Sequence, residues 1–495
     1  MTGIGDLTAV QLRDALAEGT LGAVETAEFF LERIAERNPG LGAFVHVAAD
    51  RALARARSLD ALPASAPPGP LHGVPLAVKD LHDAAGMPTT YGSAAVTDPG
   101  GDAPVAEAHD DLVAVLEAAG SVLLGKTQVP EFGLNCYSEN LVAAPARNPH
   151  DPTTGAGGSS GGQAAAVAAG MLPLAPGSDG GGSSRNPAAV CGLVGLKPNR
   201  GRVATGDAQS DAAQLVVNGP LARTAEDAAL LLDVLCSPAT GPAHGNVVRR
   251  AVTAAPQGSF LEAVRAARRG DPPWGDRPLW IGVSTASPFD SAYEITVSPE
   301  ARAALDAGVA RLRAAGHEVD DAALSYDPEY PQAFFDVWTT SMGTAPLDDE
   351  QARRLTGLAG AFRERALRRS AVELARAVAV LRRIEQDVVR QYGAWDMVLT
   401  PALALPPRPL GWYWEGHELG DPAGADQDYR RQCQYTPWTS LINVVGLPAV
   451  TVPTLWTRTG DGDPVVPMGV QLVGRPSAEA ELLAVAAQLQ TGPPA

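Results

Sequence analysis

Cysteine is scarce in this chain of 495 residues, and the few present do not cluster. Cys136, Cys191, Cys236 and Cys433 lie far apart with no CxxC spacing. That pattern argues against a disulfide framework and a zinc site, and fits free thiols in a reducing cytoplasm. No apolar run reaches the ~18 residues that a spanning helix needs. The first residues, Met1-Thr-Gly-Ile-Gly-Asp6, lack a basic segment leading into an apolar one, so no secretory signal is expected. Positive charge is in deficit: 38 Lys and Arg against 56 Asp and Glu leave a net charge of -18. Phosphate backbones and anionic membranes are bound by clustered Lys and Arg, so no nucleic acid and no membrane is expected as a partner.

What the chain has is glycine and proline, 52 and 42 of them, and hence many turns. Hydrophobic residues make up 45%, enough for a sizeable core. Helical spacing of apolar residues marks 7–17, 23–35, 103–119, 163–169, 225–235, 299–315, much of 348–392, and 478–489. Short aliphatic runs at 74–78, 121–124, 280–284, 396–400 and 449–452 read as strands. Strands alternating with helices predict an α/β fold. No internal repeat or linker divides the chain, so residues 1–495 are expected to form one domain, with 240–430 as a variable peripheral region.

Two glycine-rich stretches carry the chemistry: Gly157-Gly-Ser-Ser-Gly-Gly162 and Gly180-Gly-Gly-Ser-Ser-Arg185. Cleaving an amide builds negative charge on its carbonyl oxygen, and donors fixed in advance around that oxygen are commonly the largest catalytic contribution. Three glycines before a serine suit this, because backbone N–H groups can converge on one oxyanion. Ser183 then stands as the candidate nucleophile and needs a base. Eight histidines are present, but none lies in a recognisable triad motif. Lys79 closes the apolar run Val74–Val78, where burial would favour the uncharged amine.

These stretches resemble the amidase-signature family. The resemblance is carried by Gly73-Val-Pro-Leu-Ala-Val-Lys-Asp80, Gly125-Lys-Thr-Gln-Val-Pro-Glu-Phe-Gly133, the two glycine-rich stretches, and Cys191-Gly-Leu-Val-Gly-Leu-Lys-Pro198. Gly446-Leu-Pro-Ala-Val-Thr-Val-Pro453 and Gly469-Val-Gln-Leu-Val-Gly-Arg-Pro476 extend it toward the C-terminus. It implies a single large mixed β-sheet covered by helices. It also implies roles: Ser183 as nucleophile, Ser159 as a bridging serine at a cis peptide, and Lys79 as neutral base. The N–H groups of Gly180, Gly181, Gly182 and Ser183 would form the oxyanion hole. Ser160 would support Lys79 or Ser159, and the spacing of Asp179 and Arg185 suggests a pair bracing the glycine loop. Cys136, Tyr137, Trp338, Gln434 and Trp438 are candidate pocket residues. The chain departs from the usual pattern at Ala156, Gln163, Gly180, Ser184 and Asn186, which bears on the substrate rather than on the triad.

The implied activity is hydrolysis of a small acyl or aryl amide through a Ser183 acyl-enzyme, with no metal and no cofactor. Two alternatives accompany it: a glutamine-hydrolysing amidotransferase subunit that supplies ammonia to a partner, and an inactive binding protein. A homodimer is expected on general grounds. Gly120-Ser-Val-Leu-Leu-Gly-Lys-Thr127 spells a phosphate-loop pattern, but a helix precedes it and strand-formers fill it, so nucleotide binding is not expected. Residues 459–463 read as a turn without the glutamate a calcium loop requires.

Overall fold

The computed structural model describes residues 3–63, 65, 67–98, 100–203, 213–237, 258–458, 460, 462 and 464–492. Short apolar segments become strands: β1 (Phe44–Val47), β2 (Pro75–Lys79), β3 (Val122–Thr127), β4 (Arg147–Asn148), β5 (Asp151–Gly155), β6 (Leu174–Asp179) and β7 (Val194–Lys197). They continue with β8 (Val217–Ala222), β9 (Trp280–Val283), β10 (Glu318–Asp321), β11 (Met397–Pro401), β12 (Ala449–Thr457) and β13 (Val466–Gly474). An eight-stranded sheet runs in the order β10-β9-β11-β13-β12-β7-β8-β6. Its β10-β9-β11 end is parallel, and the pairs from β11 to β6 are antiparallel. The fold is therefore mixed α/β, as the sequence implied. A three-stranded sheet, β1-β3-β2, lies beside it and contacts it through β2 and β6. Every residue of β2, β3, β6, β7, β8, β11 and β13 is buried, the pattern of strands covered on both faces.

Helices supply that cover. Pro299–Ala314 begins at a Ser298 cap that accepts from Ala301 N–H, with proline at its first turn, and packs on β12 and β13. Ala225–Cys236 starts at Thr224, which accepts from Asp227 N–H. A second apolar cluster gathers residues of Tyr330–Gly343, Gly357–Arg368, Ala371–Tyr392 and Thr439–Val445. No helix among the described residues is long and apolar enough to cross a membrane.

Several expectations need correction. The helix expected over 103–119 covers only Asp111–Ala118. Asp110 caps it by accepting from Val113 N–H, while Val105 bridges to Pro88 in extended backbone. Within the stretch 240–430, β9, β10 and β11 form the β10-β9-β11 end of the large sheet. Residues 240–257 lie outside those described, as do Thr459, Asp461 and Asp463 of the expected turn. The phosphate-loop look-alike is strand β3, and its Lys126 is spent on a buried ion pair with Asp80 at 2.9 Å.

Candidate active site

Two glycine-bearing loops meet at one end of β6. The first leaves β5, crosses a cis peptide between Gly158 and Ser159, and enters the helix Gly161–Ala168. Here glycine is a packing requirement: a Cβ on Gly158 would lie 2.6 Å from Tyr137 N. The second loop leaves β6 at Asp179 and turns through residues 180–184 into the helix Arg185–Cys191. Gly182 has φ +123°, and a Cβ there would meet Thr439 Oγ1 at 2.4 Å. The loops are tied together where Ser160 N–H donates to Ser183 O at 3.0 Å.

Lys79, the last residue of β2, reaches this junction from a fully buried position. Its Nζ lies 2.6 Å from Ser159 Oγ, 2.9 Å from Ser178 Oγ and 3.4 Å from Ser178 O. Burial removes the ammonium from water and lowers its pKa from 10.5 to about 7; the nearby Asp179 charge pulls it back only in part. Charged and uncharged forms of the amine are therefore comparably populated at neutral pH.

Asp179 and Arg185 form a buried ion pair, with Arg185 Nη2 and Nε each 2.9 Å from a carboxylate oxygen. Asp179 Oδ1 also accepts from Gly182 N–H at 2.8 Å and from Asn443 Nδ2 at 3.0 Å. Burial opposes ionisation of this carboxyl, but the Arg185 charge and hydrogen bonds outweigh it and hold the pKa well below the usual carboxylate range. The rest of the guanidinium is used as well: Nη1 donates to Gln471 and Nη2 to Asn443 Oδ1, both at 2.6 Å. One charge pair thus joins the glycine loop to the helix Thr439–Val445 and to β13.

Ser183 is 8% exposed and opens onto a cleft. One wall is aromatic: Phe289, Phe334, Trp338 and Tyr429. Tyr330, Phe334 and Trp338 stack in turn along one helix, with ring centroids 5.7 Å apart at each step. Cys136 and Cys433 supply thiols, both pushed up in pKa by burial, which leaves them protonated and apolar in character. Gln432 is fixed from both ends: its oxygen accepts from Cys136 N–H at 2.9 Å and its nitrogen donates to Asp428 at 2.8 Å. No Asp, Glu, Lys or Arg lines this cleft among the described residues.

The structure brings Lys79, Ser159, Asp179, Arg185 and the loop carrying Ser183 to one place, and it moves other residues away from their expected positions. Gly182 N–H is occupied by Asp179, so it does not face the cleft as an oxyanion donor; Gly181 and Ser183 do line it. Ser160 Oγ donates to Ser178 O at 3.4 Å instead of bonding Lys79 or Ser159 by its side chain. Ser178, on a strand whose Pro176 and Gly177 give it no strand-like pattern in the sequence, is the second hydroxyl on Lys79. Cys136 and Trp338 do line the cleft. Tyr137 lies behind it, donating to Asp428 at 2.5 Å and stacking on Tyr413. Gln434 turns away to donate to Glu294 O at 3.0 Å, and Trp438 is buried with Nε1 3.1 Å from Ala286 O. On the helix Ala425–Tyr435 the buried positions are 425, 428, 429, 432, 433 and 435, and residue 434 lies outside that set. Among the described residues no cluster of three or more metal-ligating side chains occurs.

Residues 25–483 match the Amidase family. The chain belongs to that family, the amidase-signature amide hydrolases. Over 493 residues it is 37% identical to the Mycobacterium tuberculosis (strain ATCC 25618 / H37Rv) protein named "Putative amidase AmiB2", covering 97% of this chain and 94% of that one. It is 32% identical to a glutamyl-tRNA(Gln) amidotransferase subunit of Thioalkalivibrio sulfidiphilus, over 98% of this chain and 96% of that one. Among solved structures, 6-aminohexanoate cyclic dimer hydrolase complexed with substrate superposes with a TM-score of 0.81 at 27% identity, covering 98% and 96% of the two chains. A bacterial aryl acylamidase of the amidase-signature enzymes gives 0.79 at 25% identity, covering 97% and 95%.

Proposed function

We propose that this enzyme hydrolyses the amide bond of a small, uncharged acyl or aryl amide through an acyl-enzyme on Ser183. The observation that carries the reading is the buried Lys79 amine, 2.6 Å from Ser159 Oγ, with its pKa lowered to about 7. Neutral Lys79 takes the proton of Ser159, which takes that of Ser183 as Ser183 Oγ attacks the carbonyl carbon. The N–H groups of Gly181 and Ser183 stabilise the oxyanion, with Gly180 adjoining them. Gly182 serves differently: bonded to Asp179, it fixes the curvature of the loop. On collapse the C–N bond breaks, and Ser159 returns a proton to the leaving amine, drawing its own from protonated Lys79. Water enters by the same relay, attacks the acyl carbon and frees the acid and Ser183.

The aromatic wall favours a flat or apolar substituent, and the lack of an ionised lining residue disfavours a charged one, because burying an unpaired charge is costly. Relatives that serve in amidotransferases keep the ammonia-supplying reading in view. Free glutamine, however, carries an ammonium and a carboxylate, and the described cleft wall has no counter-charge for either.

The test is labelling by a serine-directed fluorophosphonate together with turnover of aryl amides. Wild-type protein should be labelled and active, and Ser183→Ala should lose both. A Ser183→Ala protein that is still labelled at the wild-type rate would refute the assignment.

A further inference from the structure

Three side chains in the cleft carry an unpartnered buried polar atom, the hydroxyl of Tyr429 and the carboxamides of Asn135 and Asn186, and only the two carboxamides can both donate and accept in one plane. Gln432 is held from both ends, Thr436 Oγ1 donates to Gln432 O at 3.0 Å, and Ser440 Oγ pairs with Tyr330 OH at 2.9 Å. Asn135 and Asn186, by contrast, are 4% and 2% exposed, yet Asn135 Oδ1 and Asn186 Oδ1 have no hydrogen-bond partner among the described residues. Both residues line the cleft with Ser183. A buried carbonyl oxygen left unpaired costs free energy that a donor from a ligand would recover. Each carboxamide also carries an NH2 beside that oxygen, so each can donate and accept in one plane.

We propose, building on the amide-hydrolase reading, that Asn135 and Asn186 hold a second, non-reacting carboxamide-type group of the substrate. The preferred substrate is then an aromatic or apolar amide bearing another neutral N–H/C=O group. A carboxylate or ammonium in its place would find no opposite charge in the described wall. Asn186 is suited to the task by its position. Its backbone N–H bonds Gly182 O at 2.7 Å, which ties the residue to the loop that carries Ser183. Its Nδ2 lies close beside Gly182, since a Cβ built on that glycine would fall 2.5 Å from it. Asn135 comes from the stretch leading to Cys136, whose N–H is fixed by Gln432. The two carboxamides are thus presented by separate, braced segments.

The experiment compares isophthalamide with 3-isopropylbenzamide, which replaces the second carboxamide by an apolar group of similar size. Wild-type kcat/KM should favour isophthalamide by about tenfold or more beyond the factor of two for its equivalent amides, as hydrogen-bonding sites discriminate against analogues lacking the group. In Asn135→Leu and Asn186→Leu this preference should fall by about tenfold. The preference is a ratio within each variant, so a general loss of activity cancels. Calorimetric binding of the two compounds to Ser183→Ala should show the same order. A wild-type enzyme labelled at Ser183 that prefers the isopropyl compound, or variants that keep the wild-type ratio, would overturn this inference while leaving the hydrolase reading intact. A wild-type protein that takes no fluorophosphonate label would remove both.

Discussion

Replacing Lys79 by methionine should make the protein inactive and change how its stability depends on pH. The amine is buried and its pKa falls from 10.5 to about 7 on folding. That lowering corresponds to about 4–5 kcal/mol of stability forgone at neutral pH, because the unfolded chain carries the protonated amine in water. Methionine has nearly the same length and no charge. Its drawback is that Ser159 Oγ and Ser178 Oγ lose a partner, at about 1–3 kcal/mol each. The two terms nearly cancel at pH 7, leaving a net change between a loss of about 2 and a gain of about 3 kcal/mol, so the diagnostic quantity is its dependence on pH. The sign depends on pH. Between pH 7 and about 10.5 the unfolded state holds a proton that folded Lys79 has released, so wild-type stability gains relative to the variant as pH rises. Below about 7 the difference is constant. Urea denaturation of both proteins at pH 7 and pH 9.5 measures it, with the variant losing about 3 kcal/mol relative to wild type at the higher pH. A variant less stable than wild type by the same margin at both pH values would refute the reasoning, since it would mean that Lys79 stays charged when folded.

Asp179→Asn should destabilise by about 3–5 kcal/mol, because it leaves the Arg185 guanidinium buried without its counter-charge; urea midpoints measure the loss. Gly182→Ala should abolish activity and lower the melting temperature, given φ +123° and a contact of 2.4 Å with Thr439 Oγ1. Gly19→Ala is the matched control, also at positive φ but with nothing within 4 Å, and should cost only about 1 kcal/mol.

The parts of the site legible in the sequence are those set by local pattern. Two glycine runs ending in serines, and a lysine closing an aliphatic strand, announce themselves through residue type and order. Ser178 could not be seen this way, because Pro176 and Gly177 are ordinarily strand breakers. The structure tolerates them because β6 lies at the edge of the large sheet, paired only with β8 in that sheet. Pro220 of β8 escapes notice for a related reason: the pairing with β7 reaches only Leu221 and Ala222. The pocket was hardest to read. Gln434 and Gln432 differ by two positions on one helix, and only tertiary packing decides that Gln432 lines the cleft. The order of the eight strands, which joins β11 to β13 across some 70 residues of sequence, has no local signature at all.

The central claim is that an uncharged lysine drives the serine relay, and the pH dependence of Ser183 labelling by a fluorophosphonate tests it most directly. The rate should climb tenfold per pH unit below a break near 7, level off above it, and collapse in Lys79→Met at every pH. A rate that is flat from pH 5 to 9, or a Lys79→Met protein labelled as fast as wild type, would contradict it.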